Sequence, residues 1–398
     1  MNPLINPFSP GAGSPPPELA GRNSILERAK IVLARVKNRR PEKSFLFVGL
    51  RGVGKTVLLR QVETLAKEAG YRTIFIESPE HKPLSTSLIQ SIRELLYSLD
   101  SKERISVEVK RAFRVLRSFA NGIIKIKSQD FEYSYSLPNV DPETGTADSG
   151  DLEYDLPSLF EVVAEAAASR QTAVAIIIDE LQYLSEKELS AIIMSVHRIS
   201  QKSLPLVLVG AGLPQLLGIA GKSKSYAERL FDFPNIGPLG EADSTDALQE
   251  PVKEQSIIFT DEAIAEIFNK TEGYPYFIQE WGYQSWNLAE SSPINIESVK
   301  RATQESIKRL DENFFRVRLD RLTPSEKKYL RALAELEAKD RRSGNVAEKL
   351  GIAVQSASPT RSSLIKKGMI YSQAHGETEF TVPLFDKFMK RIMPNLEK

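Results

Sequence analysis

The stretch Gly49-Leu50-Arg51-Gly52-Val53-Gly54-Lys55-Thr56 fits the phosphate-binding pattern G-x-x-x-x-G-K-[ST]. It follows the apolar run 44–48, which predicts a buried strand, and it opens a helical pattern over 56–69. Strand, loop and helix in this order are the context that the pattern requires. Glycines let backbone N–H groups point into such a loop, and the helix N-terminus adds partial positive charge. The stretch therefore predicts a site for the phosphates of a nucleotide.

Individual side chains of this loop have predicted roles. Lys55 is expected to reach the β- and γ-phosphates, and the hydroxyl of Thr56 is expected to complete a Mg²⁺ shell. The predicted nucleotide contacts in the loop are Gly49, Arg51, Gly52, Val53, Gly54, Lys55, Thr56 and Val57. A chance glycine-rich turn is the alternative, but it does not account for the flanking strand and helix.

A second apolar run, 173–178, ends in two carboxylates, Asp179 and Glu180. Ligands of open α/β sheets lie at the carboxyl ends of the strands. In that position Asp179 is expected to hold Mg²⁺ through water, and Glu180 is expected to act on the water that attacks the γ-phosphate. A helix N-cap is the alternative for such a pair taken alone.

On both sides of the phosphate loop, strand and helix patterns alternate along the first 240 residues. Strands are predicted at 44–48, 71–77, 173–178 and 204–209, and helices at 23–36, 56–69, 84–99, 159–169 and 186–201. Asn23 is a candidate N-cap for the first helix. This alternation predicts an α/β fold, a parallel P-loop NTPase sheet with helices on both faces.

Composition excludes several classes of protein. The 398 residues include 41% hydrophobic and 26% charged residues, which is typical of a globular protein. Without cysteine there is no disulfide framework, thiolate metal site or catalytic thiol, and the three histidines share no ligand spacing. The N-terminal pattern does not resemble a secretory signal, and no apolar run reaches the roughly 20 residues of a bilayer span. A cytoplasmic location is the expectation.

Two segments depart from the α/β pattern. Residues 1–18 contain six prolines and are predicted to form an extended arm. An insertion is predicted over about 123–157, with short strands at 123–127 and 131–137. Residues 128–169 contain ten Asp and Glu and no Lys or Arg, so this segment is a candidate surface for a protein partner.

The remaining chain is predicted to form two further domains, after an α/β domain over 19–240. Residues 241–311 read as a helical lid, and 312–398 as a separate domain. Residues 301–398 hold 20 Lys and Arg against 13 Asp and Glu, a net charge of +7. Such a charge predicts attraction to polyanions, and a solvated basic surface is the alternative.

The order of elements in 312–398 resembles a winged helix-turn-helix. Thr323 and Pro324 open a helix, two more helices follow, and 369–372 and 379–382 predict a β-hairpin wing around Gly376. The second helix of the motif is predicted to offer DNA the side chains Gln355, Ser358, Thr360, Arg361, Ser363, Lys366 and Lys367. The same fold also serves as a protein-binding module, so both partners stay open.

The phosphate loop, the Asp179-Glu180 pair and the upstream Leu19-Ala20-Gly21-Arg22 resemble P-loop ATPases of the AAA+/STAND group. The chain is similar to prokaryotic ATPases related to origin-recognition initiators. This resemblance implies ATP or ADP and Mg²⁺ as ligands, with Gly21 and Arg22 beside the adenine. It implies that Pro275, in Gly273-Tyr-Pro275-Tyr276, packs near the nucleotide. It also implies that Arg229 is an arginine finger for a neighbouring subunit of a nucleotide-dependent homo-oligomer.

Two positions depart from that family. The strand over 204–209 runs into Gly210-Ala211-Gly212, where the family usually has a polar sensor residue. Tyr276 stands where many members carry a phosphate-binding arginine. The first hypothesis is an ATPase that acts on DNA through its C-terminal domain. The second is a signalling switch that binds protein there and hydrolyses ATP slowly or not at all.

Overall fold

The computed structural model describes most of the chain. The described residues are 1–11, 16, 18–78, 82–100, 105–126, 140–224, 226–372 and 376–396, with the side chains of 124–126 left out. The predicted strand at 131–137 lies outside this set.

The centre of the molecule is a parallel five-stranded sheet, as predicted. Its strands are β1 (Ser44–Val48), β2 (Tyr71–Glu77), β3 (Ala173–Asp179), β4 (Leu206–Gly212) and β5 (Phe231–Asp232). They lie in the order β2-β3-β4-β1-β5, and every neighbouring pair is parallel. β1, β3 and β4 are wholly buried, as their uninterrupted apolar runs require in a sheet covered on both faces.

Strand register places the predicted site residues at one edge. Glu77 pairs with Asp179, and Val48 pairs with Gly212, so β1 to β4 end at the same edge of the sheet. The phosphate loop follows β1 and the acidic pair closes β3. Both therefore lie at the carboxyl edge, where parallel sheets bind ligands.

Eight helices accompany the sheet in the described residues. They are α1 (Asn23–Lys37), α2 (Lys55–Glu68), α3 (Leu84–Leu99), α4 (Val107–Ile126), α5 (Leu152–Ser169), α6 (Glu186–Gln201), α7 (Gln215–Ser223) and α8 (Ala227–Leu230). Alternate β3 residues point to opposite faces: Ile176 and Ile178 join the core under α3 to α6, and Ala175 and Ile177 join the core under α1 and α2. The sheet is thus covered on both faces. The N-cap of α1 is Arg22 rather than the predicted Asn23.

The predicted strand at 123–127 is wrong, because α4 continues as a helix to Ile126. α5 also begins at Leu152, seven residues before the predicted start, with the Asp151 side chain accepting from the N–H of Glu153. Pro157, the end of the predicted insertion, lies within this helix. Packing of α5 against α4 and α6 outweighs the local preference.

The lid consists of α9 (Glu241–Lys253), α10 (Asp261–Thr271), α11 (Pro275–Leu288) and α12 (Ile296–Arg309). From α12 the chain continues through a π-helical segment, Leu310–Phe315, into the short α13 (Arg316–Leu319). The predicted lid boundary at Asp311 falls inside this continuous helical run.

The C-terminal helices are α14 (Pro324–Glu335), α15 (Ser343–Leu350), α16 (Val354–Lys366) and α17 (Phe385–Ile392), with an antiparallel pair β6 (Ile370–Tyr371) and β7 (Glu379–Phe380). Thr323 caps α14 in a capping box with Glu326. Phe315, Phe385 and Phe388 are buried in a core that the lid and the C-terminal helices share. This common core joins the two regions.

The N-terminal arm is not simply extended. Pro3–Ile5 form a 3-10 turn, and Phe8 is 2% exposed against the lid. A side chain at Gly282 of α11 would come within 2.6 Å of the Phe8 ring, so glycine there permits the close approach. The Trp286 indole N–H donates to the Asn2 carbonyl at 2.9 Å. In the part of the chain that is described, no helix is long and apolar enough to cross a membrane.

Candidate nucleotide site

A cavity of about 230 Å³ opens at the carboxyl edge of the sheet. Phosphate loop, lid, N-terminal arm and the segment before α14 all line it. Of the predicted nucleotide contacts, Arg22, Arg51, Gly52, Val53, Gly54, Lys55, Thr56, Val57 and Pro275 line the cavity. Gly21 and Gly49 lie outside its lining.

The loop conformation depends on its glycines. Gly52 and Gly54 adopt φ angles of +82° and +90°, which L side chains rarely take. At Gly49 the constraint is space, since an added Cβ would lie 2.2 Å from the Ile236 carbonyl oxygen. Gly49 thus has a packing role. α2 begins directly after Gly54, so its N-terminal N–H groups face the cavity.

Lys55 is a buried cation at the cavity floor, 8% exposed. Its Nζ donates to the carbonyls of Gly49 at 2.9 Å and Leu50 at 2.8 Å. Burial lowers the pKa of Lys55 to about 8, although the charges of Glu180 and Asp179 oppose this shift. A phosphate group at this point would restore the charge that burial disfavours.

The predicted Mg²⁺ ligands meet beneath Lys55. The Thr56 hydroxyl donates to Asp179 Oδ2 at 2.6 Å, and Asp179 Oδ1 accepts from the N–H of Glu180 at 2.8 Å. Burial raises the pKa of Asp179, and the Thr56 hydrogen bond works against it. A hydroxyl and a carboxylate in contact fit Mg²⁺, which prefers one or two such protein oxygens together with substrate phosphates.

Glu180 lies beside the loop in a left-handed backbone conformation, with φ 54°. Its side chain lines the cavity and accepts a hydrogen bond from the Gln182 amide. Arg51 Nη1 lies 3.8 Å from Glu180 Oε1, and Arg51 also donates to the Tyr183 hydroxyl at 2.8 Å. The carboxylate is therefore oriented from two sides.

The end of β4 contributes no polar side chain, as the sequence indicated at Gly210–Gly212. Gln182 lies between Glu180 and the end of β4: its amide donates to Glu180, and its Oε1 accepts from the N–H of Leu213 at 3.1 Å. Gln182 was not among the predicted site residues. Its place two residues after Glu180 was the available signal.

Arg22 supports the loop from the side. Its Nη2 donates to the carbonyl of Gly237 at 2.6 Å and to that of Val53 at 3.4 Å. Burial lowers the pKa of Arg22, and the charge of Asp243 opposes the shift. Gly21 instead makes room for Asp243, whose Oδ2 would lie 2.6 Å from an added Cβ.

The lid closes the opposite side of the loop. Pro275 is the first residue of α11, and the N–H of Tyr276 donates to the Gly52 carbonyl at 3.2 Å. The Tyr276 ring stacks on Phe314, with 4.7 Å between ring centroids. Tyr276 therefore joins the loop to the helix that follows the lid.

Two segments line the cavity without having been predicted to do so from the sequence. The arm supplies Ser9, Pro10, Gly11, Pro16 and Glu18, and the segment before α14 supplies Phe314 and Arg318. The aromatic Phe8 in a proline-rich run was the signal for a docked arm. The position of Arg318 follows only from the packing of the C-terminal region.

Arg229 lies far from this cavity. It is exposed on α8, which precedes β5, and Phe231 pairs with Ser44 at the start of β1. Since β1 and β5 are parallel, α8 lies at the amino edge of the sheet, about 16 Å along β1 from the phosphate loop. Arg229 cannot contact a nucleotide in its own chain.

The predicted DNA-contacting residues of α16 divide into two groups. Arg361 donates to the Thr378 hydroxyl at 3.0 Å, and Lys367 and Ser363 both bind Glu326 at 2.7 Å. Burial raises the pKa of Glu326, but the hydrogen bonds from Lys367, Ser363 and the N–H of Thr323 lower it to about 2. Gln355, Ser358 and Lys366 are exposed and Thr360 is half-buried, and Lys367 is exposed although it binds Glu326.

The pKa of Lys55 predicts that nucleotide affinity depends on pH. Below pH 8 the lysine is charged and affinity is highest, and above pH 8 the free protein must take up a proton to bind phosphate. We expect affinity to fall by up to about tenfold per pH unit between pH 8 and 9.5. Titration calorimetry at pH 9 in two buffers of different ionisation enthalpy measures the proton uptake.

Lys55→Arg is the matched control for this pH effect, because guanidinium keeps its charge throughout the range. Its affinity, even if lower, is expected to stay constant from pH 7 to 9.5 without proton uptake. If the nucleotide affinity of the unmodified protein stays constant from pH 7 to 9.5, the predicted role of the Lys55 charge is wrong.

Family models match two parts of the sequence. A family described as an AAA ATPase domain matches residues 18–209, and a family described as a domain of unknown function matches 312–389. A search of curated proteins gives no match.

Solved structures resemble nearly the whole chain. The Walker-type ATPase PABY2304 of Pyrococcus abyssi is 16% identical, with a TM-score of 0.54 over 94% of this chain and 96% of that chain. The Aeropyrum pernix Orc1 protein in complex with DNA is 16% identical, with a TM-score of 0.44 and coverage of 95% and 94%. Cdc6p from Pyrobaculum aerophilum is 16% identical, with a TM-score of 0.46 and coverage of 99% of each chain. Of these three structures, only the Pyrococcus abyssi ATPase has a TM-score above 0.5, and the fold assignment therefore uses that structure alone.

The matched region 18–209 runs from the end of the arm into β4 and includes the phosphate loop and the acidic pair. The parallel sheet has the architecture predicted from that loop. The P-loop fold is thus confirmed, and residues 18–209 match the AAA ATPase domain family.

Proposed function

We propose that the protein binds ATP with Mg²⁺ in this cavity and uses its hydrolysis as a conformational switch. One observation carries the proposal: separate parts of the chain meet at the phosphate loop. Gly52 accepts from the N–H of Tyr276 in the lid, and the N–H of Arg51 donates to the Thr381 carbonyl in the C-terminal region at 3.0 Å. A nucleotide that alters the loop would alter both contacts.

In this mechanism the chain supplies charge and orientation. Lys55 would neutralise the β- and γ-phosphates, and Thr56 and Asp179 would hold Mg²⁺. Bound Mg²⁺ supplies charge stabilisation to the transferring phosphoryl group. Glu180, held by Gln182, would orient the attacking water and accept its proton. Substitutions at Lys55 and Glu180, discussed below, test these roles.

Slow turnover suits this arrangement better than a fast motor. The end of β4, Gly210–Gly212, has no polar side chain, and Tyr276 stands where related ATPases carry an arginine. Glu180 and Gln182 would therefore orient the water. Arg229 would complete the site of a neighbouring subunit in a nucleotide-dependent homo-oligomer, where an arginine stabilises transition-state charge. Its exposure at the amino edge of the sheet favours a role towards another chain.

We further propose duplex DNA as the partner of the C-terminal domain, interpreted as a winged helix. The net charge of +7 over 301–398 and the exposed Lys366 on α16 support this proposal. If Lys366 contacts a phosphate, Lys366→Ala in the full chain should weaken binding for all sequences. It should also reduce the slope of log affinity against log salt by about one. Fluorescence anisotropy with a labelled duplex from 50 to 300 mM salt, roughly the range over which such contacts are lost, measures both.

Lys300→Ala provides the control, since Lys300 is equally an exposed lysine but lies on α12 of the lid. It should leave both affinity and slope unchanged. Equal effects of the two substitutions would indicate a nonspecific charge effect rather than an interface on α16.

A protein partner is the second candidate, with a specific observation in its favour. Ile352 and Val354, at the start of α16, are 45% and 47% exposed. Arg361 and Lys367, in contrast, are engaged within the domain. No duplex binding at low salt, with ATP present, would leave the protein-binding switch, for which the acidic segment 128–169 is another candidate surface.

A further inference from the structure

The phosphate end of the cavity contains a cation from outside the α/β domain. Arg318 of α13 lines the cavity together with Arg51, Lys55 and Glu180. It lies 269 positions after Gly49, the first residue of the loop, so no motif of the sequence connects them. Tertiary packing alone brings this guanidinium to the loop.

Arg318 has no carboxylate partner within 4 Å among the described residues. Its Nη1 donates to the Phe314 carbonyl one turn earlier, and its guanidinium lies 4.1 Å from the centroid of the Phe314 ring. Arg341 of the C-terminal region, by comparison, binds Glu379 at 2.9 Å and Asp386 at 2.8 Å. A half-buried cation without an anion is costly, and an anionic ligand would remove that cost.

The electrostatic surroundings of Arg318 also favour an anionic ligand. Burial and the positive charges of Arg51 and Arg321 together lower the pKa of Arg318 to about 10, against the opposing effects of Tyr276 and Tyr183. Two arginines directed at one cavity repel each other in the free protein. A phosphate between them would turn this repulsion into attraction.

The position of Arg318 selects the terminal phosphate. Arg51, its cationic neighbour, lies 3.8 Å from Glu180, the residue expected beside the attacked phosphate. Arg22, which lines the same cavity, donates instead to the carbonyls of Gly237 and Val53. Arg318 therefore faces the part of the ligand by which a triphosphate differs from a diphosphate.

Arg318 is also mechanically joined to the C-terminal helices. Phe315, three residues earlier, stacks on Phe388 of α17 with 5.1 Å between ring centroids. Leu319, the next residue, is 5% exposed in the same core. A displacement of Arg318 would thus move packed residues, because such cores do not deform freely.

We propose that Arg318 binds the terminal phosphate of a nucleoside triphosphate and transmits its presence to the C-terminal helices. This inference rests on the proposed nucleotide site and adds a tri- against diphosphate sensor to it.

The test compares affinities of the full chain for ADP and for a slowly hydrolysed β,γ-imido ATP analogue, with Mg²⁺. Arg318→Met is expected to weaken analogue binding by roughly 10- to 100-fold, the range for a hydrogen bond to a charged group, and ADP binding by less than about threefold. Arg316→Met is the matched control, since Arg316 is an exposed arginine on the same short helix. It should change neither affinity.

Hydrogen exchange supplies a second readout. In the unmodified protein the analogue, but not ADP, should slow amide exchange over 316–322 and 379–382, and Arg318→Met should abolish this difference. Equal losses for both nucleotides, or no loss, would overturn the proposal. If the unmodified protein binds neither nucleotide, the proposed function itself fails.

The melting temperature of free Arg318→Met tests separately whether this variant folds normally. Removing a half-buried cation that another arginine repels should leave the melting temperature of the free protein unchanged or raise it. If Arg318→Met lowers it instead, Arg318→Lys decides: retaining part of the triphosphate preference supports the phosphate contact, and losing all of it contradicts the contact.

Discussion

Lys55→Ala is expected to abolish the rise in melting temperature that ATP and Mg²⁺ confer on the unmodified protein. A ligand at 100 times its dissociation constant stabilises a folded protein by about 2.7 kcal/mol, and this gain disappears when binding is lost. Lys55 is the buried cation nearest the loop carbonyls, so a phosphate placed there depends on its charge. Scanning calorimetry with and without nucleotide measures the effect.

The free Lys55→Ala protein should still fold cooperatively. The deleted ammonium is partly disfavoured by burial, and it makes hydrogen bonds only with the carbonyls of Gly49 and Leu50 among the described residues. Lys30→Ala, at an exposed lysine of α1, is the control and should keep the full ATP-dependent shift. An unchanged shift in Lys55→Ala would refute the phosphate-loop assignment.

Glu180→Gln is expected to keep ATP affinity while reducing hydrolysis by roughly 10²- to 10⁴-fold, the contribution of a general base. The amide has the shape of the carboxylate and can still contact Gln182, but it cannot accept a proton from water. Phosphate release under single-turnover conditions measures the chemical step, and calorimetry measures binding.

Glu186→Gln, an exposed glutamate at the start of α6, should hydrolyse ATP at the rate of the unmodified protein. Turnover at that rate in Glu180→Gln would exclude Glu180 from the mechanism.

Mixing Glu180→Gln with Arg229→Ala tests whether Arg229 acts on the site of a neighbouring subunit, because an intact Glu180 can face an intact Arg229 only in the mixture. Partial recovery of activity supports the finger, and an inactive mixture that still co-assembles contradicts it.

Local patterns in the sequence predicted much of the α/β domain. The run 44–48, the glycine-rich loop and the helix after it depend on neighbouring residues, and the structure has all three. The contact between Thr56 and Asp179 followed from two strand ends of one parallel sheet. Prediction was poorest at α4 and at the start of α5, where burial between helices overrides local signals such as Pro157.

The phosphate loop, its lysine and the acidic pair follow from the sequence alone, because backbone conformation and strand ends are set over short distances along the chain. Which distant groups meet that loop depends on the tertiary structure. It placed Thr381 against Arg51 and brought Arg318 to the cavity. Such contacts arise when separate apolar faces bury each other in a common core, and the hydrophobic effect that drives this burial is non-directional. No local pattern therefore encodes them.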